Sequence, residues 1–333
     1  MAQQFMNVDR NLAMELVRVT EAAALAASRW VGKGDKIGAD GAAVDAMRAA
    51  IDSVAMDGVV VIGEGEKDEA PMLFIGERVG TLAPGTPKVE IAVDPIDGTT
   101  LTSKGMPNAV SVIGLSEAGT LYDSHGLFYM NKLAVGPEAA GVVDISAPVA
   151  TNLQNVAKAK GMKVSELTVC VLDRPRHVDL IKEIRAAGAR IKFISDGDVA
   201  GSIMTCLPET GVDIYLGTGG APECVISACA IKCLGGTLQA TPWPRPDTDD
   251  AEKAKAKGLD LHSVLGLDDL AKGDNTFFAC TGITDGELVR GVHYSNGYAT
   301  TESLVMRSRT GTVRRVVAQH RIDKVRQYGF SGE

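Results

Sequence analysis

The later part of the chain alternates short apolar runs with helical segments, and this alternation restricts the fold more than any other feature. LTVCVLD (167–173) precedes a helix expected from Pro175 to Ala187, and ARIKFISDGD (189–198) precedes a short helix. VDIYLGTGG (212–220) precedes a helix that ends at Gly235-Gly236. Apolar runs separated by helices fit an α/β unit with at least partly parallel strands. The earlier part opens instead with two helices. Leu12, Leu16, Val19, Ala23, Ala26 and Trp30 make a helical stripe within Asp9–Trp30, and a second helix from Asp40 places Val44, Met47, Ile51 and Val54 on one face. Extended runs follow at VVVIG (59–63), VEIAV (89–93), Ala109–Leu115 and Leu127–Val135. The texture changes near residue 163, so the expected division is an N-terminal α+β half, 1–163, and a C-terminal α/β half, 164–333. Two domains suit a chain of 333 residues. DTDDAEKAKAKG (247–258) reads as a solvated helix, and SLVMRS, RTG and TVRRVVAQH read as a hairpin.

Charge narrows the function. A net charge of −8 argues against broad nucleic-acid binding, which needs a basic surface. An anionic substrate would then need a bound divalent cation and a few local Arg or Lys residues, because the local field outweighs the total. No stretch approaches the roughly 20 apolar residues of a membrane span, and MAQQFMNVDRN lacks the pattern of a signal peptide. A cytoplasmic protein without nucleic-acid or membrane partners is therefore expected. The six cysteines form no CxxC pair and have no nearby His at zinc-ligand spacing, so they read as reduced core residues.

Chemistry gathers where the apolar runs end. DPIDGTT (94–100) follows VEIAV directly, at the kind of strand end where open α/β sheets place ligands. Pro95 and Gly98 tighten the turn, so Asp94 and Asp97 can point the same way with Thr99 beside them. Such paired carboxylates suit a hard cation such as Mg²⁺ or Mn²⁺. GEGEKDEAP (63–71) follows VVVI in the same manner and offers Glu64, Glu66, Asp68 and Glu69. That loop alone fits a solvated turn equally well; the two loops together favour a metal site. Asp40, after the glycine-rich GKGDKIGA loop, is a third donor, a helix cap, or both. No Ser/His/Asp or Cys/His arrangement, GxxxxGK[ST] loop or full GxGxxG after a strand is present, so covalent nucleophilic catalysis is not expected.

DPIDGTT with an upstream GE resembles the signature of the lithium-sensitive phosphatase superfamily. Within it the chain resembles the class II fructose-1,6-bisphosphatases, from about Asp9 to about His320. The shared motifs include GKGDKIGADGAAVDAMR, VVVIGEGEKDEAPML, AVDPIDGTT, FYMNKLAVGP, LDRPRH, DGDVA, GGAPE and ACTGITDGEL. Some members carry Glu where this chain has Asp97.

The resemblance implies a layered α/β/α/β/α sugar-phosphatase fold, with two α/β-type halves and the active site between them. It makes the first half metal-binding and the second substrate-binding. It also implies metal-dependent hydrolysis of the 1-phosphate of fructose 1,6-bisphosphate, a gluconeogenic step, by a homodimer or homotetramer. Carried over by motif, the ligands of two or more Mn²⁺ or Mg²⁺ ions fall on Asp40, Glu64, Asp94, Asp97 and Glu223. Two such ions about 3.5–4 Å apart can stabilise the attacking and leaving oxygens of an in-line displacement. Thr99 is the candidate for orienting the attacking water, and Asp68 or Glu66 for accepting its proton. Lys36 offsets charge at the phosphate or is a solvated loop lysine. For the substrate, Arg174, Pro175 and Arg176 meet a second phosphate, while Asp196, Gly197 and Asp198 suit sugar hydroxyls. Tyr129 resembles the family's substrate-contacting tyrosine, Gly220 allows close backbone approach, and Asp97, Gly98 and Thr99 border the substrate. The competing readings are a dual fructose/sedoheptulose bisphosphatase or inositol-phosphate phosphatase of the same fold and, more remotely, a non-catalytic sugar-phosphate or metal sensor.

Overall fold

A computed structural model describes residues 12–65, 72–124, 127–246, 248–256 and 258–325. In chain order the elements begin with α1 (Leu12–Ser28), α2 (Lys36–Ile51), β1 (Asp57–Ile62), β2 (Arg78–Val79), β3 (Lys88–Asp97), α3 (Thr99–Lys104) and β4 (Val110–Glu117). Then come β5 (Tyr129–Val135), α4 (Val149–Lys160), β6 (Thr168–Leu172), α5 (Val178–Ala187), β7 (Arg190–Ile194), α6 (Asp198–Met204), β8 (Ile214–Gly220) and α7 (Ala221–Leu234). The chain continues with β9 (Thr237–Pro242), α8 (Asp250–Ala256), β10 (Phe277–Gly282), β11 (His293–Ser295), β12 (Tyr298–Arg307) and β13 (Thr312–Arg321).

The elements form two compact units, each with its own sheet. One holds the chain up to Leu121 and again from Gly273; the other spans Tyr122–Lys272. This differs from the division at residue 163 that the change of texture suggests. Strand pairing is the reason. β5 lies between β8 and β9 and so belongs with the later strands, whereas β10 returns to pair with β4.

The first unit's sheet runs β11-β12-β10-β4-β3-β1-β2, with β13 on β12. Only β1 and β3 are parallel neighbours in it. β12 and β13 pair along all ten residues of each, as the hairpin signal predicts. The stripe on α1 packs with α2 and the sheet in one core that includes Leu16, Val19, Ala23, Met47, Ile51, Ile91, Ile113 and Phe277. The second unit's sheet runs β7-β6-β8-β5-β9, with β7, β6 and β8 parallel and β5 antiparallel to both its neighbours. The alternating runs after residue 163 thus build the parallel part, as expected.

Two helix starts differ from the sequence reading. α2 begins at Lys36, not at Asp40, because Asp35 is the cap: its Oδ1 accepts the Gly38 N–H at 2.9 Å. Asp40 therefore lies within the helix and does not cap it, and Lys36 is the first helical residue, not a loop lysine. Pro175–His177 forms a single 3₁₀ turn, and the α-helix proper starts at Val178. α7 ends as predicted, with Gly235 in the left-handed conformation at φ 75°.

All six cysteines are buried, and none forms a disulfide. Burial pushes the Cys206 thiol up to about 11 and those of Cys224, Cys229 and Cys280 up to about 12. No helix among the described residues is long and apolar enough to cross a membrane.

Candidate active site

In the first unit, β1 and β3 run parallel with Ile62 opposite Ala92, so their C-terminal ends open on the same side of the sheet. Glu64 and Asp94 each lie two residues beyond that pair in their own segments. Glu64 is fixed by its N–H, which donates to the Leu73 carbonyl at 3.0 Å. At the end of β3 the pairing with β4 slips between Asp94 and Asp97 by one extra residue, so Pro95 and Ile96 make a bulge within the strand and the turn comes only at Gly98. Asp94 Oδ1 accepts the Ile96 N–H at 3.0 Å, and the Thr99 hydroxyl donates to the Ile96 carbonyl at 3.4 Å. Gly98, at φ 102°, reverses the chain into α3, a conformation that an L side chain rarely adopts.

The glycine-rich loop docks on this turn through its backbone. The Gly32 N–H donates to the Thr102 carbonyl at 2.9 Å and the Gly34 N–H to the Ser103 carbonyl at 2.8 Å. That docking aims α2, and Lys36 Nζ donates to Thr100 Oγ1 at 2.8 Å. The fold thus brings Lys36 to the DPIDGTT turn, 64 residues away in sequence. Asp40 follows one helical turn later, and burial raises its carboxyl above the ordinary aspartate range. Asp97 is buried, whereas Asp94 and Glu64 are half-buried. Glu66 and Asp68, the proton-acceptor candidates, lie outside the described residues.

In the second unit the candidate residues converge on the last four residues of β8. At Gly217 the His177 ring lies so close that a Cβ would meet its Cε1 at 3.1 Å. At Thr218 every polar atom has a partner. Its N–H donates to His177 Nε2 at 2.7 Å, and its hydroxyl donates to Asn131 Oδ1 at 2.7 Å. Its carbonyl accepts both Nε and Nη2 of Arg176, at 3.1 and 2.7 Å. At Gly219 a Cβ would overlap Asp198 Oδ2, and at Gly220 it would overlap Glu223 Oε2. The group that approaches Gly220 closely is the Glu223 carboxylate.

Because His177 Nε2 accepts from Thr218, its Nδ1 carries the proton and donates to the Leu172 carbonyl at 2.7 Å. Burial, with the charges of Arg176 and Arg174, holds this imidazole below the ordinary histidine range. The Arg176 guanidinium lies 4.9 Å from the centroid of the Tyr129 ring, which Trp243 meets edge-on at 6.0 Å. Arg174 stands 3.8 Å from Asp196. Gly197, at φ 78°, turns the chain so that Asp198 opens α6 with its carboxylate directed inward.

Asp198 Oδ2 accepts Lys132 Nζ at 2.6 Å, with the Tyr215 hydroxyl at 3.5 Å. Lys132 was not among the sequence candidates. The signal for it was a lone charge inside FYMNKLAV, where the two-residue period of a strand sets Lys132 on the same face as Met130 and Ala134. Burial works against its ammonium charge, but Asp198, with Cys224 and Glu223, outweighs this and raises Lys132 above the ordinary lysine range. Burial and the Asp198 charge raise the Glu223 carboxyl.

The donor chemistry fits a hard cation. Carboxylates stand at adjacent strand ends in the first unit, and in the second the solvent-shielded Glu223 Oε2 has no hydrogen-bond partner among the described residues. The described residues contain no ready-made cluster of three such ligands, so the carboxylates are candidate donors and not a closed cage.

Mixed sheets with carboxylates and a threonine hydroxyl at strand ends in one unit, and arginines beside carboxylates in the other, define a hydrolase of the α/β sugar-phosphatase class. The family model described as bacterial fructose-1,6-bisphosphatase, glpX-encoded, matches residues 10–320, and the chain belongs to that family. It is 46% identical over 327 residues to fructose-1,6-bisphosphatase 1 class 2 of Escherichia coli strain K12, covering 95% of this chain and 96% of that protein. The class 2 fructose-1,6-bisphosphatases of Escherichia coli O6:H1 and Shigella flexneri show the same identity and coverage.

Proposed function

We propose that this chain hydrolyses the 1-phosphate of fructose 1,6-bisphosphate to give fructose 6-phosphate and phosphate, as a gluconeogenic enzyme of the cytoplasm and as a homodimer or homotetramer. Near-full-length identity of 46% to proteins named for this activity carries the reading. The carboxylate ends of β1 and β3 and the arginine turn after β6 support it.

Asp40, Glu64, Asp94 and Asp97 in the first unit and Glu223 in the second are the proposed donors. Bound Mn²⁺ or Mg²⁺ supplies positive charge for the phosphoryl oxygens and lowers the pKa of water. The Thr99 hydroxyl, anchored to the Ile96 carbonyl, orients a water in line with the bond to the sugar oxygen. Asp68, or Glu66, accepts the water's proton as the P–O bond to the sugar breaks. Lys36, held at Thr100, places a positive charge beside that turn. Arg176, immobilised through Nε and Nη2 by the Thr218 carbonyl, keeps Nη1 for the second phosphate together with Arg174. Asp196 and Asp198 receive sugar hydroxyls beside Tyr129.

The test is phosphate release from fructose 1,6-bisphosphate, with and without Mn²⁺ or Mg²⁺, for the wild type and for Asp94→Asn and Thr99→Ala. Metal-dependent release that falls about 100-fold or more in folded variants is expected, the scale of losing one preorganised group. Sedoheptulose 1,7-bisphosphate and inositol 1-phosphate run in parallel. A folded, metal-supplied protein inactive on fructose 1,6-bisphosphate would overturn the reading, and activity on another substrate would identify its replacement.

A further inference from the structure

We propose that Lys132 is a positioning residue of the substrate subsite: its buried ammonium locks Asp198 into the single orientation in which that carboxylate receives the sugar. This rests on the bisphosphatase reading and adds to it a residue one layer behind the surface that meets substrate.

Lys132 is 1% exposed and is the only buried lysine or arginine among the described residues. β5 carries it in the interior of the second sheet, paired on both sides by β8 and β9, so its backbone has little freedom. Nζ donates to Asp198 Oδ2 at 2.6 Å, the same oxygen that lies 3.5 Å from the Tyr215 hydroxyl. Both donors therefore converge on one oxygen. They fix the rotation of a carboxylate whose residue follows the left-handed Gly197 and begins α6.

Stability alone is a weak account of such a pair. Removing an ammonium and a carboxylate from water is costly, and apolar residues of similar volume commonly serve as well or better. A second pair, between the end of α4 and the residue before β8, shows the contrast. Lys160 and Asp213, 2.5 Å apart, lie near the start of β8; the Lys160 side chain keeps 18% of its exposure, and Asp213 Oδ2 ties down the Thr168 N–H. Lys132 and Asp198 are closed off and stand at the other end of β8, against Gly219. Glu223 presses on the next residue, Gly220. Two carboxylates against successive glycines repel one another unless positive charge offsets them, and the Lys132 ammonium, bonded to Asp198, also attracts the Glu223 charge.

The experiment uses the full chain and four proteins: wild type, Lys132→Met, Asp198→Asn and the double variant. Thermal melts, kcat and KM for fructose 1,6-bisphosphate, and fructose 6-phosphate affinity by calorimetry are measured for each. Lys132→Met is expected to raise KM and the fructose 6-phosphate Kd at least about tenfold with a smaller effect on kcat. A merely structural lysine would lower the active fraction, and so kcat, without moving KM. Asp198→Asn should do the same as Lys132→Met, and the double variant should match Asp198→Asn, because neighbours that act through one group are not additive.

Should Lys132→Met fail to fold, the double variant still decides. Its buried pair is neutral on both sides, and agreement with Asp198→Asn within about threefold supports the inference. A folded Lys132→Met with wild-type KM overturns it, as does a double variant about tenfold weaker than Asp198→Asn, or an Asp198→Asn that binds as wild type. A wild type that neither hydrolyses fructose 1,6-bisphosphate nor binds fructose 6-phosphate overturns the bisphosphatase reading itself.

Discussion

Gly220 has ordinary extended backbone angles, φ −61° and ψ 140°, so an alanine there is free of backbone strain. What excludes it is the Glu223 carboxylate, whose Oε2 occupies the space of a Cβ. Gly220→Ala should therefore fold, with a melting temperature within a few degrees of wild type, yet lose phosphate release about 100-fold as Glu223 is displaced. Calorimetry beside the phosphate assay separates the two effects. A second consequence concerns histidine. His177 and His320 are held by burial below the ordinary value of about 6.5, so the unfolded chain protonates first as pH falls. Their contribution to stability is complete above about pH 7 and declines as pH drops through 6.5 toward the folded values. The urea midpoint should be lower at pH 5.5 than at pH 7.5, and the decline should shrink in His177→Gln. A midpoint that rises on acidification would contradict the assigned tautomer, in which Nε2 has no proton to spare for Thr218.

At the level of elements, α2 links a cap to a catalytic candidate. Asp35 satisfies the Gly38 N–H and so fixes where the helix begins, and the next residue is Lys36. Asp35→Ala should lower unfolding free energy by about 1 kcal/mol, the usual cost of losing an N-cap. It should also weaken phosphate release several-fold, because Lys36 loses its fixed approach to Thr100. Comparison with Asp52→Ala, at the other end of the same helix, tests the local origin: that variant should leave activity near wild type. The misplaced start of α2 shows why local reading fell short. Asp35 and Asp40 are both plausible caps five residues apart, and the choice was made by the backbone bonds from Gly32 and Gly34 to α3, about 70 residues downstream.

At the level of the whole molecule, the six cysteines give a test of how completely the cores are closed. With all six buried and the thiols of Cys206, Cys224, Cys229 and Cys280 pushed up to about 11 or 12, a thiol reagent at pH 8 should modify none in the native protein and all six in denaturant. Phosphate release should not respond to reductant. Rapid modification of one thiol in the native protein would show that the core around it is open.

The sequence alone determined the elements with strong periodicity or punctuation: α1, the run-and-helix alternation from β6 to α7, the Gly235 stop and the β12–β13 hairpin. These depend on patterns that lie within a few residues of one another. It also located the carboxylate turns, because DPIDGTT and GEGEKDE are contiguous and follow their strands directly. Only the tertiary structure decided which strands pair, and with them the assignment of β5 to the later sheet and of β10 to β13 to the earlier one. It alone decided that Lys36 reaches Thr100, that Thr218 anchors Arg176, and that Lys132 holds Asp198, residues separated by 64, 42 and 66 positions. Local periodicity shows which face of a strand is buried. The partner that a buried charge meets there is set by strand order, which local patterns do not encode.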